Sequence, residues 1–291
     1  MTSITEKYPP LPLNEMTKIA NEFESYSTDQ KIKTISKIID LHPFLNFSTE
    51  KDNRDFYRAR IANNGAFPFN YTGLLWNHSA PAQQARLNLR GDAVLYIANQ
   101  ANAAYMEVGV QEEMIILTKL KIQKDKHVSF LPLGTYTAIT RSNAAHLDFT
   151  ESHVIETRKK LQACPTHELH SLLIADEFIY NCIMNEDKDY FISSYTANLI
   201  FKKYANVDVI SYPSKKLRAA TNYAVKTQNF WEKWEISSAA TLNVKHLALG
   251  QFQLSNLRSV DNIDENGFLN WQRSYPIYGN SLTPLNWKKS V

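Results

Sequence analysis

The order of strand-like and helix-like stretches along this 291-residue chain predicts an α+β fold. Three observations carry that expectation. Apolar residues recur at helical spacing near the N-terminus and again between 151 and 204. The segments 112–123 and 127–133 are apolar and partly β-branched, and 240–257 alternates as strands do. The eight glycines never fall as Gly-x-Gly-x-x-Gly, no Gly-Lys-Ser/Thr occurs, and no internal repeat is present, so a dinucleotide-binding βαβ unit or a phosphate loop has little support.

Residues 1–12 are Pro-rich and read as an irregular arm. Leu13, Met16, Ile19, Ala20 and Phe23 then fall on one helical face. Ser27-x-x-Gln30 has the form of a capping box, in which a hydroxyl and an amide satisfy each other's backbone N–H groups at a helix start. It opens a second amphipathic helix through Ile32, Ile35, Ile38, Ile39 and Leu41. His42-Pro43 ends that helix, because proline pushes the preceding residue out of helical conformation. Residues 1–50 are thus expected to form an N-terminal helical extension before a domain spanning 51–291. The two helices either pack on the main core or offer a surface to a partner protein or a second copy of the chain.

Strands and loops dominate from Phe56 to about Ser129, with turns at Asn63-Asn-Gly65 and Tyr71-Thr-Gly73. Val154, Ile155, Arg158 and Leu161 belong to one helix. Pro165-Thr166 starts another, buried through Leu169, Leu172, Leu173, Phe178 and Ile179, with Glu177 and Glu186 solvated. A further helix covers 193–204, and a short strand runs from Val207 to Tyr212 and stops at Pro213. The aromatic, Pro-containing tail is expected to wrap the core.

Composition narrows the function classes. At 44% hydrophobic and 21% charged, the chain is ordinary for a folded soluble protein. A net charge of +3 is too mild to imply nucleic-acid or membrane binding, and basic and aromatic residues are not interleaved as a nucleic-acid platform. Cys164 and Cys182 give neither a disulfide framework nor metal spacing and read as free thiols of a reducing compartment. His167-Glu168-Leu169-His170 separates its histidines by three where the zincin motif needs four, so no metal site is expected. The N-terminus shows no basic segment leading into an apolar run and no stretch reaches the length of a membrane span, which makes a cytoplasmic location the expectation.

The stretch with the most chemistry is 94–108. It begins as an apolar, strand-like run, turns through Asn99 and Gln100, and continues as an alanine-rich helical piece bearing Glu107. Upstream lie Asp55-Phe-Tyr-Arg-Ala-Arg60 and Ala85-Arg-Leu-Asn-Leu-Arg-Gly91; downstream lie Tyr212-Pro-Ser214 and Asn222-Tyr-Ala-Val. Together these resemble the RES domain, a family named for an Arg, a Glu and a Ser in its pocket. Phe56-Tyr57-Arg58 resembles its opening aromatic–Arg motif. Arg86-x-Asn88, Gly91 and Leu95-Tyr96 resemble its Gly-Arg-x-Asn … Gly … Tyr segment, with Ala85 standing where the family has Gly. Ala104-x-x-Glu107 and Tyr212-Pro213-Ser214 resemble its Glu and Tyr-Pro-Ser motifs. The resemblance covers about residues 55–230.

That resemblance implies an ADP-ribosyltransferase-like mixed β core with flanking helices, and an enzyme that consumes NAD as a toxin or defence effector held by a neutralising protein partner. It implies cleavage of the nicotinamide–ribose bond, as a glycohydrolase or, with phosphate as acceptor, a phosphorylase. Glu107, Arg58 and Ser214 become the catalytic candidates, and Arg86, Tyr96, Tyr57 and Asn88 the candidates for holding NAD.

The residue types suit that chemistry. Nicotinamide leaves as a neutral molecule, so no general acid is needed; the problem is the cation that develops on the ribose. A carboxylate that accepts hydrogen bonds from the ribose hydroxyls and faces that charge lowers the barrier, which is the role for Glu107. An Arg offers a planar, permanently charged fork for phosphate oxygens, Arg58 first and Arg86 second. Arg60 shares a strand face with Arg58, since residues two apart point the same way. Ser214, held by the stiff backbone after Pro213, would bond the nicotinamide amide or orient Glu107; a nucleophilic role lacks a His partner. Tyr96 and Tyr57 bring flat faces and hydroxyls, while Asn88 and Asn222 could simply tie loops together. Two rival functions remain on sequence grounds: transfer of ADP-ribose to a macromolecule by the same pocket, and a non-enzymatic protein-interaction module with a vestigial pocket.

Overall fold

A computed structural model describes residues 2–49, 53–62, 65–76, 81–142, 151–185, 190–273 and 285–290. Among them the helices are α1 (Ile4–Lys7), α2 (Leu13–Glu22), α3 (Thr28–Leu41), α4 (Ala101–Val108), α5 (Thr135–Ser142), α6 (Glu151–Gln162), α7 (Thr166–Met184), α8 (Phe191–Lys203) and α9 (Phe230–Lys233). The strands are β1 (Phe47–Thr49), β2 (Phe56–Ile61), β3 (Val94–Ala98), β4 (Glu112–Ile122), β5 (Val128–Pro132), β6 (Val209–Pro213), β7 (Thr221–Lys226), β8 (Trp234–Ala248), β9 (Gln251–Ile263) and β10 (Leu269–Arg273). The chain is α+β, as its sequence predicts. No helix among the described residues is long and apolar enough to cross a membrane.

The chain divides into two compact units, one of residues 1–47, 82–92 and 129–210, the other of 48–81, 93–128 and 211–291. This corrects the boundary expected at residue 50. The first three helices are no separate extension, because α1 and α2 pack on α7 and α3 packs on α7 and α8 within the first unit. Of the apolar positions read from the spacing, Met16, Ile19, Phe23, Ile35, Ile38 and Ile39 are buried, Leu13 and Ile32 are half-buried, and Ala20 and Leu41 are exposed.

The ends of α3 show how local chemistry sets an element. Gln30 N donates to Ser27 Oγ at 3.4 Å and Ser27 N to Gln30 Oε1 at 2.9 Å, which completes the capping box. At the other end Lys203 Nζ donates to three carbonyls, Ile39 at 2.5 Å, Asp40 at 2.9 Å and His42 at 3.0 Å. A cation there complements the partial negative charge of the last turn. Glu177, expected to be solvated, is partly exposed and pairs at the surface with exposed Arg141 at 3.3 Å. Glu186, Asn63, Asn64 and residues 274–284 of the aromatic tail lie outside the described residues; of the rest of the tail, Trp287 exchanges two backbone hydrogen bonds with Ile236.

In the second unit seven strands run in the order β7-β3-β2-β4-β8-β9-β10, each antiparallel to its neighbours. β8 and β9 form a hairpin longer than the alternation from 240 predicts, since it starts at Trp234 and runs to Ile263. Its turn is Leu249-Gly250 with φ of +49° and +76°, the two positive values a tight two-residue hairpin turn demands. α4 lies on one face of this sheet. Ala103, Ala104 and Tyr105 pack with Ala59 of β2, Ala98 of β3, Leu117 of β4 and Ala240 of β8. The small side chains of α4 let its backbone come close to the sheet, which brings Glu107 near the ends of β3 and β7.

Candidate active site

The element that places Glu107 is short and tied at both ends. Asn99 and Thr221 exchange two bonds before α4 begins, Asn99 N to Thr221 O at 3.0 Å and Thr221 N to Asn99 Oδ1 at 2.9 Å. Asn102 Nδ2 donates to Gly250 O at 3.1 Å. The helix ends at Gly109, whose φ of +74° closes the last turn in the left-handed conformation that glycine adopts without strain. Glu107 is therefore the last carboxylate-bearing position before a sharp stop.

Three side chains meet on this residue. Ser214 Oγ donates to Glu107 Oε1 at 2.9 Å, and Asn222 Nδ2 donates to the same oxygen at 2.7 Å. Lys216 Nζ donates to the Glu107 carbonyl at 3.0 Å. Ser214 is fixed in turn, because its Oγ accepts from Lys216 N at 3.1 Å and Leu217 N at 3.2 Å while its own N–H reaches Ala220 O at 2.9 Å. Asn222 is buried on β7, whereas Glu107 is exposed. The carboxylate is thus anchored from the protein side and open to solvent on the other. The sequence points to Glu107 and Ser214 together and offers Asn222 as a weaker candidate that could simply tie a loop, while Lys216 carries no sequence signal beyond its place two residues after the serine.

Tyr57 and Tyr96 border the same face. Asn222, Ala98, Tyr57 and Lys119 are successive cross-strand neighbours over β7, β3, β2 and β4, and Tyr96 pairs with Ala224 one row further on. Residues aligned across a sheet point to one side. Burial, and then Asp55, pushes the Tyr57 phenol above its ordinary value. Lys119 Nζ lies 5.7 Å from the Tyr57 ring centre and pairs with Asp55 at 3.1 Å.

Arg58 is placed differently. Alternation along β2 sends Tyr57 and Ala59 toward α4, and Phe56, Arg58 and Arg60 to the opposite face. β2 and β3 are joined through one residue pair, Tyr57 with Ala98. Beyond it Arg58 Nη1 donates to Tyr96 O at 2.9 Å, where a regular ladder would put a backbone N–H. Its Nε is buried with no hydrogen-bond partner among the described residues. Arg60 Nη1 donates to Gly73 O at 3.0 Å. Neither arginine is ion-paired among the described residues, and burial, then the like charge of Arg60, pushes the Arg58 guanidinium down to about 10. No hydrogen bond joins Arg58 to Glu107.

Arg86 and Asn88 belong to the first unit. Arg86 Nη1 donates to Ile183 O at 3.1 Å and Met184 O at 3.0 Å, the last carbonyls of α7, where a cation complements the helix end. Asn88 Nδ2 closes its own loop on Gln83 O at 2.8 Å and Leu89 O at 3.0 Å. No group of three His, Cys, Asp or Glu side chains among the described residues is placed to hold a metal ion. Neither a family model, nor a curated protein, nor a solved structure matches the chain.

Proposed function

We propose that this protein cleaves the nicotinamide–ribose bond of NAD at Glu107, as a RES-like enzyme with an ADP-ribosyltransferase-like core. The observation that carries the reading is the double hydrogen bond of Ser214 and Asn222 to one oxygen of an exposed carboxylate. An exposed carboxylate held by preorganised donors at one oxygen, with no described residue donating to the other, is what a developing ribose cation requires. In the reaction the bond from the ribose anomeric carbon to the nicotinamide nitrogen breaks and its electron pair leaves with neutral nicotinamide. Water or phosphate then adds to the same carbon, and water loses a proton to solvent. Glu107 contributes negative charge through the step and needs no change of protonation. Tyr57 and Tyr96 supply ring surface on the same face.

A buried guanidinium with an orphan Nε and no carboxylate paired to it among the described residues, as Arg58 is, lacks the counter-charge such groups usually keep. Arg58 nevertheless lies on the face of β2 opposite Tyr57 and α4, so it is not placed as the pyrophosphate fork of an NAD held at Glu107, and the reading rests on Glu107, Ser214 and Asn222. In a cell such an enzyme depletes NAD and stops growth, so a neutralising protein partner belongs to the proposal.

The test is nicotinamide release from NAD by the purified full chain, with and without phosphate. ADP-ribose as coproduct identifies water as the acceptor, and a phosphorylated ADP-ribose identifies phosphate. A folded protein that neither binds NAD in titration calorimetry nor releases nicotinamide sinks the proposal.

A further inference from the structure

We infer that Ser214 and Asn222 are positioning residues that divide the work of the two Glu107 oxygens, Oε1 being the anchor and Oε2 the atom left for the substrate. This deepens the reading of Glu107 as the charge that faces the reacting sugar and rests on it.

The argument is one of counting protons and lone pairs. Ser214 has a single hydroxyl proton and two lone pairs. Both lone pairs are occupied by the backbone N–H groups of Lys216 and Leu217, at 3.1 and 3.2 Å. The proton goes to Glu107 Oε1, since a carboxylate oxygen only accepts. Nothing remains on Ser214 to attack a sugar or to donate to a nicotinamide amide, which removes two of the roles its sequence position allows. Asn222 brings the second donor to Oε1 from a buried position on β7, fixed by the register of its Cα with Ala98. No described residue donates to Oε2. The loop after β6 grips Glu107 twice, at the side chain through Ser214 and at the main chain through Lys216. The charged group these contacts bring to Glu107 is the Lys216 ammonium, on its carbonyl; the titratable side chains on this face are Tyr57 from β2 and Lys119 from β4, and α4 itself carries Tyr105.

Asn222→Asp tests this directly. Protonated, the new carboxyl donates to Oε1 as the amide does; ionised, it repels Glu107. Two carboxyls sharing one site hold a proton well above the ordinary range. The variant is expected to keep kcat within about tenfold of wild type at acid pH and to lose roughly 10²-fold as that proton leaves, the size typical of one preorganised contact. Asn222→Ala is expected to be low by roughly 10²-fold at every pH, with KM moved by less than about threefold. Carboxyl ¹³C NMR of the folded Asn222→Asp protein reads the shared proton without any NAD present. A raised titration with activity restored at acid pH is the expected result. A folded Asn222→Asp protein whose carboxyls all titrate in the ordinary range overturns the inference, as does Asn222→Ala with wild-type kcat. A raised titration in a protein that releases no nicotinamide supports the clamp and removes the NAD reading instead.

Discussion

Glu107→Gln separates the charge of the carboxylate from its shape. The new amide oxygen can take the place of Oε1 and accept from Ser214 and Asn222 as before, at 2.9 and 2.7 Å in the parent. What changes is the loss of the negative charge, with an NH₂ group where Oε2 stood. A hydrogen bond to a charged acceptor contributes about 1.5–3 kcal/mol and a neutral one about 0.5–1.5. Two such exchanges give an upper limit of roughly 2–3 kcal/mol. Glu107 is exposed, so solvent screening brings the real cost below about 1 kcal/mol, a fall of only a few degrees in Tm. The chemical step loses far more, about 10²–10³ in rate, because the charge facing the ribose cation is gone. Glu107→Ala behaves differently in stability. It strands the buried Asn222 amide, at a cost of about 1 kcal/mol with water following into the exposed space. Thermal unfolding and nicotinamide release are measured on the same preparations. Glu107→Gln with activity within about threefold of wild type refutes the electrostatic reasoning. Glu107→Ala with a Tm no lower than that of Glu107→Gln refutes the idea that Asn222 depends on this oxygen.

Three further outcomes are expected elsewhere in the molecule. Lys203→Met removes the three bonds to the end of α3 and is expected to destabilise the first unit by about 1–2 kcal/mol, raising amide exchange in the last turn of that helix by tenfold or more; unchanged exchange refutes the cap. Cys164 and Cys182 are buried, and burial, then Glu24, pushes the Cys182 thiol well above its ordinary value. Both are expected to resist a thiol reagent in the native protein near pH 8 and to react on unfolding, so rapid native labelling of either contradicts the packing. Burial raises the phenols of Tyr105 and Tyr136 far above the unfolded value of about 10, helped by Tyr57 and by Asp176 respectively. The folded state therefore keeps protons that the unfolded chain loses, so this stabilisation is full below about pH 10 and declines as pH rises beyond it. Spectroscopic titration is expected to show these two ionising only as the protein unfolds; normal titration in the folded state contradicts the burial.

Local signals in the sequence determined most elements and one half of the site. Ser27 and Gln30 cap α3 because the capping box is a contact between residues three apart. Pro43 and Gly109 stop helices by their own backbone preferences, and the spacing of Ile35, Ile38 and Ile39 selected a face before any partner was known. Glu107 and Ser214 were singled out by motif, and they share a hydrogen bond. Tertiary structure alone decided the rest. α1 to α3 joined the first unit because the surfaces of α7 and α8 they cover come more than a hundred residues later. Asn222 became a ligand of Glu107 through the register of β7 with β3, and register depends on pairing between strands far apart in the chain. Arg58 reached the Tyr96 carbonyl because β2 and β3 part after one residue pair, a property of two strands that neither sequence carries alone. Short-range sterics and capping act within a few residues and can be read in order. Which side chain meets which across the sheet depends on long-range packing, and that exists only once the chain has folded.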